Sequence, residues 1–187
     1  AWMILEAGKS YVEADADTAE AIDFLDFYAM EILRYSAEQP VTPVPGEKNN
    51  LTYIPLGCGL VIPPWNFPMA ILCGMTSAAW IAGNTEVLKP ASTTPMMGWL
   101  YMENIREAGV PNGVVNFLSG PGSKVGNTLV EHAKTRFICF TGSMEVGLGI
   151  NAKAAMTQEG QIWIQARLPS GSRDPPAPRR EHTWLNE

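Results

Sequence analysis

Histidine and cysteine are scarce in this chain of 187 residues, and neither is spaced for chemistry. His132 and His182 lie far apart in unmatched settings and read as surface residues rather than ligands or bases. The three cysteines, Cys58, Cys73 and Cys139, form no metal-ligand spacing and leave an odd count. Cys73 and Cys139 sit inside apolar runs, which favours buried thiols in a reducing cytoplasm over disulfides. Positive charge is in deficit. The net charge of −6 argues against nucleic acid or an anionic membrane as partner. No hydrophobic run is long enough to span a bilayer, since the longest, Met69 to Ala82, falls short. No basic stretch precedes an apolar one at the start, so no secretory signal is expected. The chain opens at Ala1-Trp2-Met3 without an initiating Met, as if cut from something longer.

What is present is globular. Apolar residues make up 46% and charged residues 17%, enough for one ordinary domain with a real core. Residues 1–9 read as the end of a helix. Asp17-Thr18-Ala19-Glu20 has the form of a capping box, and Ala21, Leu25, Tyr28 and Ile32 follow at helical intervals, predicting an amphipathic helix over 18–36. Pro40 to Pro45 reads as a linker, and the weak alternation of Leu51 to Ile54 is compatible with a strand. From Gly59 onward four short strand-like runs appear, at 59–62, 85–88, 114–118 and 136–140. Between and after them lie helical patterns at 67–82, 95–108, 123–133 and 143–156. Such alternation predicts an α/β fold, a Rossmann-like parallel sheet with flanking helices that binds ligands beyond the carboxyl ends of its strands. The expected divisions are 1–56 as N-terminal helices and linker, 57–164 as the core, and 165–187 as a disordered tail. That tail carries four Pro and four Arg with no period.

Several strand ends carry candidate chemistry. Asn66, in Pro64-Trp65-Asn66-Phe67, could donate its amide to an oxyanion, or could simply cap the following helix. Lys89 ends a predicted strand and could reach a ribose or phosphate, or be an ordinary solvated lysine. Gly120-Pro121-Gly122-Ser123-Lys124-Val125-Gly126 approaches a dinucleotide fingerprint but is one residue too long, and no acid follows at the expected distance. A plain tight turn is the alternative. Phe140-Thr141-Gly142-Ser143 offers a hydroxyl and helix-start N–H groups to a pyrophosphate, or Ser143 is a simple cap. Glu86 stands where a buried parallel strand should be apolar, so it needs a partner or an exposed strand end. No metal site is expected.

The Pro-Trp-Asn turn, Lys89-Pro90-Ala91-Ser92 and Phe140 to Ser143 together resemble the aldehyde dehydrogenase superfamily. Within it they resemble the glutamate-γ-semialdehyde (1-pyrroline-5-carboxylate) dehydrogenases, on Glu6 to Lys9, Glu13 to Phe24, Pro63 to Pro68 and Gly160 to Trp163. The resemblance implies NAD as cofactor and proline catabolism as context. It implies Asn66 as a catalytic oxyanion donor and Phe67 as a substrate-channel residue. Pro64, Trp65, Lys89, Ser92, Gly120, Gly122, Gly142 and Ser143 would be cofactor-binding. Many members carry Glu where Ser92 stands, which leaves the choice of NAD over NADP open. The whole enzyme would take a small aldehyde and form a homo-oligomer in the cytoplasm.

Two departures accompany these matches. The family's general-base Glu lies in a Glu-Leu/Met-Gly-Gly motif shortly after the position of Trp163, and its nucleophilic Cys follows in a separate domain. Neither motif occurs in these 187 residues. The expectation is therefore an incomplete NAD-binding domain, inactive alone. The competing readings are a non-catalytic binding module and a non-functional truncated product.

Overall fold

The computed structural model describes residues 1–157 and the backbone of 164–165. Five parallel strands form one sheet in the order β3-β2-β1-β4-β5. They are β1 (Cys58–Ile62), β2 (Thr85–Leu88), β3 (Val115–Phe117), β4 (Phe137–Phe140) and β5 (Ile164–Gln165). β1 pairs with β2 on one side and β4 on the other. The chain thus builds outward from β1 in one direction, then returns to build in the other. That reversal creates a crevice at the carboxyl edge. The tail expected to be disordered lies, from residue 166, outside the described residues.

The helices are α1 (Trp2–Ala7), α2 (Tyr11–Ser36), α3 (Ala70–Ile81), α4 (Pro95–Glu107), α5 (Asn127–Val130) and α6 (Met144–Thr157). Two apolar clusters cover the sheet. Val61, Leu72, Cys73, Leu88, Tyr101 and Phe137 belong to one, and Leu60, Val130, Ile138, Phe140, Ile150 and Ala154 to the other. Leu60 and Val61 fall in different clusters because successive strand residues point to opposite faces. α3 is buried through most of its length, as its all-round apolar sequence requires.

Four expectations need correction. The capping box sits at Ser10 and Glu13, and α2 starts at Tyr11. Asp17 lies inside that helix, buried and engaged with another element. Residues 51–54 form no strand, and Leu51, Tyr53 and Ile54 stay exposed because no strand lies beside them to pair. The segment expected as one helix over 123–133 is a π-helical turn, Gly122–Gly126, followed by the short α5. Glu86 has neither a partner nor an exposed strand end. It is fully buried, and neither carboxyl oxygen has a hydrogen-bond partner among the described residues.

Candidate functional site

The carboxyl ends of the strands are locked in register just past their last residues. Lys89 N–H donates to Val61 O at 2.9 Å, Leu118 N–H to Leu88 O at 3.0 Å, and Thr141 N–H to Ile62 O at 3.2 Å. The loops leaving β1, β2, β3 and β4 therefore start from one edge. A cavity of about 350 Å³ opens there, lined by Ile62, Lys89, the 122–127 turn, Val130 and one stripe of α6. That stripe is Val146, Gly149, Ile150 and Lys153, at the spacing of one helical face.

Lys89 is 4% exposed. Its ammonium donates to the Pro90 carbonyl at 3.2 Å, and no carboxylate pairs with it among the described residues. Burial pushes its pKa below the usual lysine value. Lys153 donates to Asn127 Oδ1 at 2.6 Å across the same cavity. A Cβ added at Gly122 or Gly149 would meet nothing within 4 Å, so open space adjoins the main chain at both positions.

The other sequence candidates fall into three groups. Ser92 and Gly120 hold each other. The serine hydroxyl donates to Gly120 O at 3.3 Å, tying the loop after β2 to the loop after β3. Gly142 and Ser143 lead into α6. A Cβ at Gly142 would come within 2.6 Å of the Phe140 ring, so any side chain there would have to displace that ring. Ser143 Oγ accepts the Val146 N–H at 3.4 Å, which makes it the helix cap. The first-turn N–H groups of Met144 and Glu145 keep no intrahelical acceptor.

Trp65, Asn66 and Phe67 line a separate cavity of about 390 Å³, together with Gly8, Lys9 and the α2 residues Glu13, Asp17 and Glu20. Asn66 is exposed, and its amide makes no hydrogen bond among the described residues. It does not cap α3. Pro64 is half-buried and lines neither cavity. A third cleft, of about 210 Å³ between α4 and β3, holds none of the candidates.

Sequence reasoning missed Asn127 and Lys153. A helical lysine reads as solvated, and only the stripe 146, 149, 150, 153 could have placed Lys153 on the cavity side. The cysteines carry no site. All three are free. Burial pushes the thiols of Cys73 and Cys139 up to about 12, and Cys58 opens β1 at the amino edge, away from the strand ends that carry the cavity. No group of His, Cys, Asp and Glu that could hold a metal occurs among the described residues. No described helix is long and apolar enough to cross a membrane.

Residues 1–165 match the aldehyde dehydrogenase family. The chain is 54% identical over 165 residues to a 1-pyrroline-5-carboxylate dehydrogenase of Geobacillus thermodenitrificans, covering 88% of this chain and 32% of that protein. A crystal structure of 1-pyrroline-5-carboxylate dehydrogenase from Thermus with bound NAD superposes with a TM-score of 0.82 at 49% identity, covering 92% of this chain and 34% of that one. Proline utilization A from Bdellovibrio bacteriovorus superposes with a TM-score of 0.83 at 45% identity, covering 89% of this chain and 18% of that one. The chain thus spans about a third of the length of the curated relatives it matches. With the Pro-Trp-Asn turn and the Lys89 strand end in place on a parallel sheet, the chain belongs to the aldehyde dehydrogenase family.

Proposed function

We propose that this chain supplies the NAD-binding portion of a dehydrogenase that oxidises a semialdehyde, glutamate γ-semialdehyde, to its carboxylate. The observation that carries the reading is Lys89: a buried ammonium without a counter-ion among the described residues, held at the carboxyl edge of a parallel sheet on the wall of a cavity. Such a group is costly to bury unless a ligand completes its hydrogen bonds. The cavity chemistry fits a dinucleotide. Lys89, Ser123 and Lys153 are donors for ribose hydroxyls and phosphate, and at Gly122 and Gly149 no side chain stands between a ligand and the main chain.

NAD supplies the acceptor for a hydride. The chain's own residues bind and orient. With NAD bound, Lys89 would donate to the ribose, and the start of α6 would offer N–H groups and a positive dipole end to the pyrophosphate. Ser92 and Gly120 hold the two flanking loops together. Asn66, with its amide unspent, donates to the oxyanion that forms on the aldehyde carbon, and Phe67 walls the substrate cavity. Losing one such donor costs roughly 2.7–4 kcal/mol in the barrier.

The thiolate that must attack the aldehyde is not among Cys58, Cys73 and Cys139. The 187 residues therefore bind NAD without turning over aldehyde. Calorimetric titration of the chain with NAD tests the reading. Binding that weakens in K89A supports it. No heat of binding at millimolar NAD would favour a scaffold that has kept the fold and lost the site.

A further inference from the structure

α3 begins without a cap of its own, since no neighbouring side chain accepts a first-turn N–H. The acceptor comes from a distant place in the sequence. Asp17, in the second turn of α2, takes the Ala70 N–H on Oδ1 at 2.6 Å. It is 1% exposed. Its other oxygen lies 2.9 Å from Lys9 Nζ. Lys9, in the turn between α1 and α2, also stands 4.2 Å from the centre of the Phe67 ring. One cation therefore touches both the acid that holds α3 and the aromatic residue that leads into it.

Each contact has a physical reason. A carboxylate at a helix start satisfies an orphan N–H and faces the positive end of the dipole. A buried carboxylate needs a counter-ion, and Lys9 is that ion. An ammonium over an aromatic face adds attraction and fixes the ring. Between the two fixed points, Phe67 and Ala70, the chain has little freedom, and Asn66 comes directly before them. Had Asp17 not taken the cap, Asn66 is the nearest preceding amide that could compete for it.

We infer that Lys9 and Asp17 are positioning residues for the Asn66 turn: the pair anchors Phe67 and the start of α3, and leaves the Asn66 amide facing the cavity, free to donate to a ligand oxygen. The identity of that oxygen, an aldehyde-derived oxyanion, rests on the function proposed above. The positioning itself does not.

Nuclear magnetic resonance of the 187-residue chain, without NAD and without turnover, tests it. In the wild type the Ala70 amide should exchange slowly. D17A should abolish that protection, and D17N, which keeps an acceptor oxygen, should retain part of it. K9M should shift the Asn66 side-chain amide, the Trp65 indole and the Phe67 ring signals while leaving β4 and α6 unchanged, and K9R should restore them. The inference is overturned if the 65–67 signals of K9M superpose on the wild type, or if its shifts spread evenly through the domain as a general loosening would give. Should D17A fail to fold, the K9M and K9R pair decides alone. A chain that fails to bind NAD would sink the functional reading and leave this result standing.

Discussion

Asn84 Oδ1 accepts the backbone N–H of Leu56 at 2.7 Å, and that of Gly57 at 3.0 Å, while its Nδ2 donates to Ala79 O at 2.9 Å. One side chain, 8% exposed, thus joins the end of α3 to the entry of β1. β1 is the centre of the sheet and delivers Ile62 to the cavity. Asn84→Ala removes three bonds, one buried and two half-buried, and water can reach the freed N–H groups of Leu56 and Gly57, so it should destabilise the domain by about 1–2 kcal/mol. Asn84→Asp keeps the acceptor, loses the donor, and should cost less. Urea unfolding measures both, and a loss for Asn84→Ala within error of zero would refute the account.

Glu86 makes the domain sensitive to alkali. Burial raises its pKa from an ordinary carboxyl value to about 9. The folded state therefore holds a proton that the unfolded state has already released above its own pKa. Stability is fully present below about 4.5 and is lost progressively as pH rises to about 9, at up to about 1.4 kcal/mol per pH unit. The groups electrostatically coupled to it are Tyr101 from α4 and Cys139 from β4, and burial raises both of their pKa values as well. Glu86→Val should raise Tm and flatten its pH dependence between 6 and 9. A wild-type Tm constant over that range would show that the carboxyl finds another way to be charged.

The chain alone should produce no NADH from glutamate γ-semialdehyde. Cys73 and Cys139 stay protonated at neutral pH because burial holds them near 12, and hydride release requires a thiolate adduct first. Absorbance at the reduced-nicotinamide band is the readout. Production above blank would mean a nucleophile exists that the geometry does not reveal.

Local pattern made most of the sheet legible. Short β-branched runs, Pro at the start of α4 and Gly after α3 and α4 each act within a few residues, and β1 to β4 fell within a residue or two of expectation, while the two-residue β5 was not expected. Long-range chemistry was not legible. Asp17-Thr18-Ala19-Glu20 has the same cap pattern as Ser10 to Glu13, and nothing local says that Asp17 serves a helix 53 positions away. Lys9 reads as solvated until Phe67 and Asp17 arrive beside it. Glu86 was legible as an anomaly, and the structure deepens the anomaly by providing neither partner nor water-facing end. Among the residues that line the cavity, Lys89 was readable by position, since it directly follows a strand. Those on helices, Asn127 and Lys153, needed the fold to bring them across.

Lys89 should trade stability for binding. Its stem packs beside Gly126, where an added Cβ would lie 3.7 Å from Lys89 Cε. Among the described residues its ammonium has a single carbonyl as partner, and burial depresses its pKa. Without ligand the charge is a net cost to folding, since one backbone acceptor does not replace its hydration. Lys89→Met keeps the stem volume and removes the charge. The substitution should leave Tm unchanged or higher, while weakening NAD binding by about 1.5–3 kcal/mol, the range for a hydrogen bond involving a charged group. Thermal melts and calorimetry on the same two proteins separate the terms. A variant that melts well below the wild type yet binds NAD equally would mean that Lys89 serves the core and that the dinucleotide is held elsewhere on the domain. A variant that both melts higher and loses NAD would place this lysine among residues kept for a ligand at the expense of the fold.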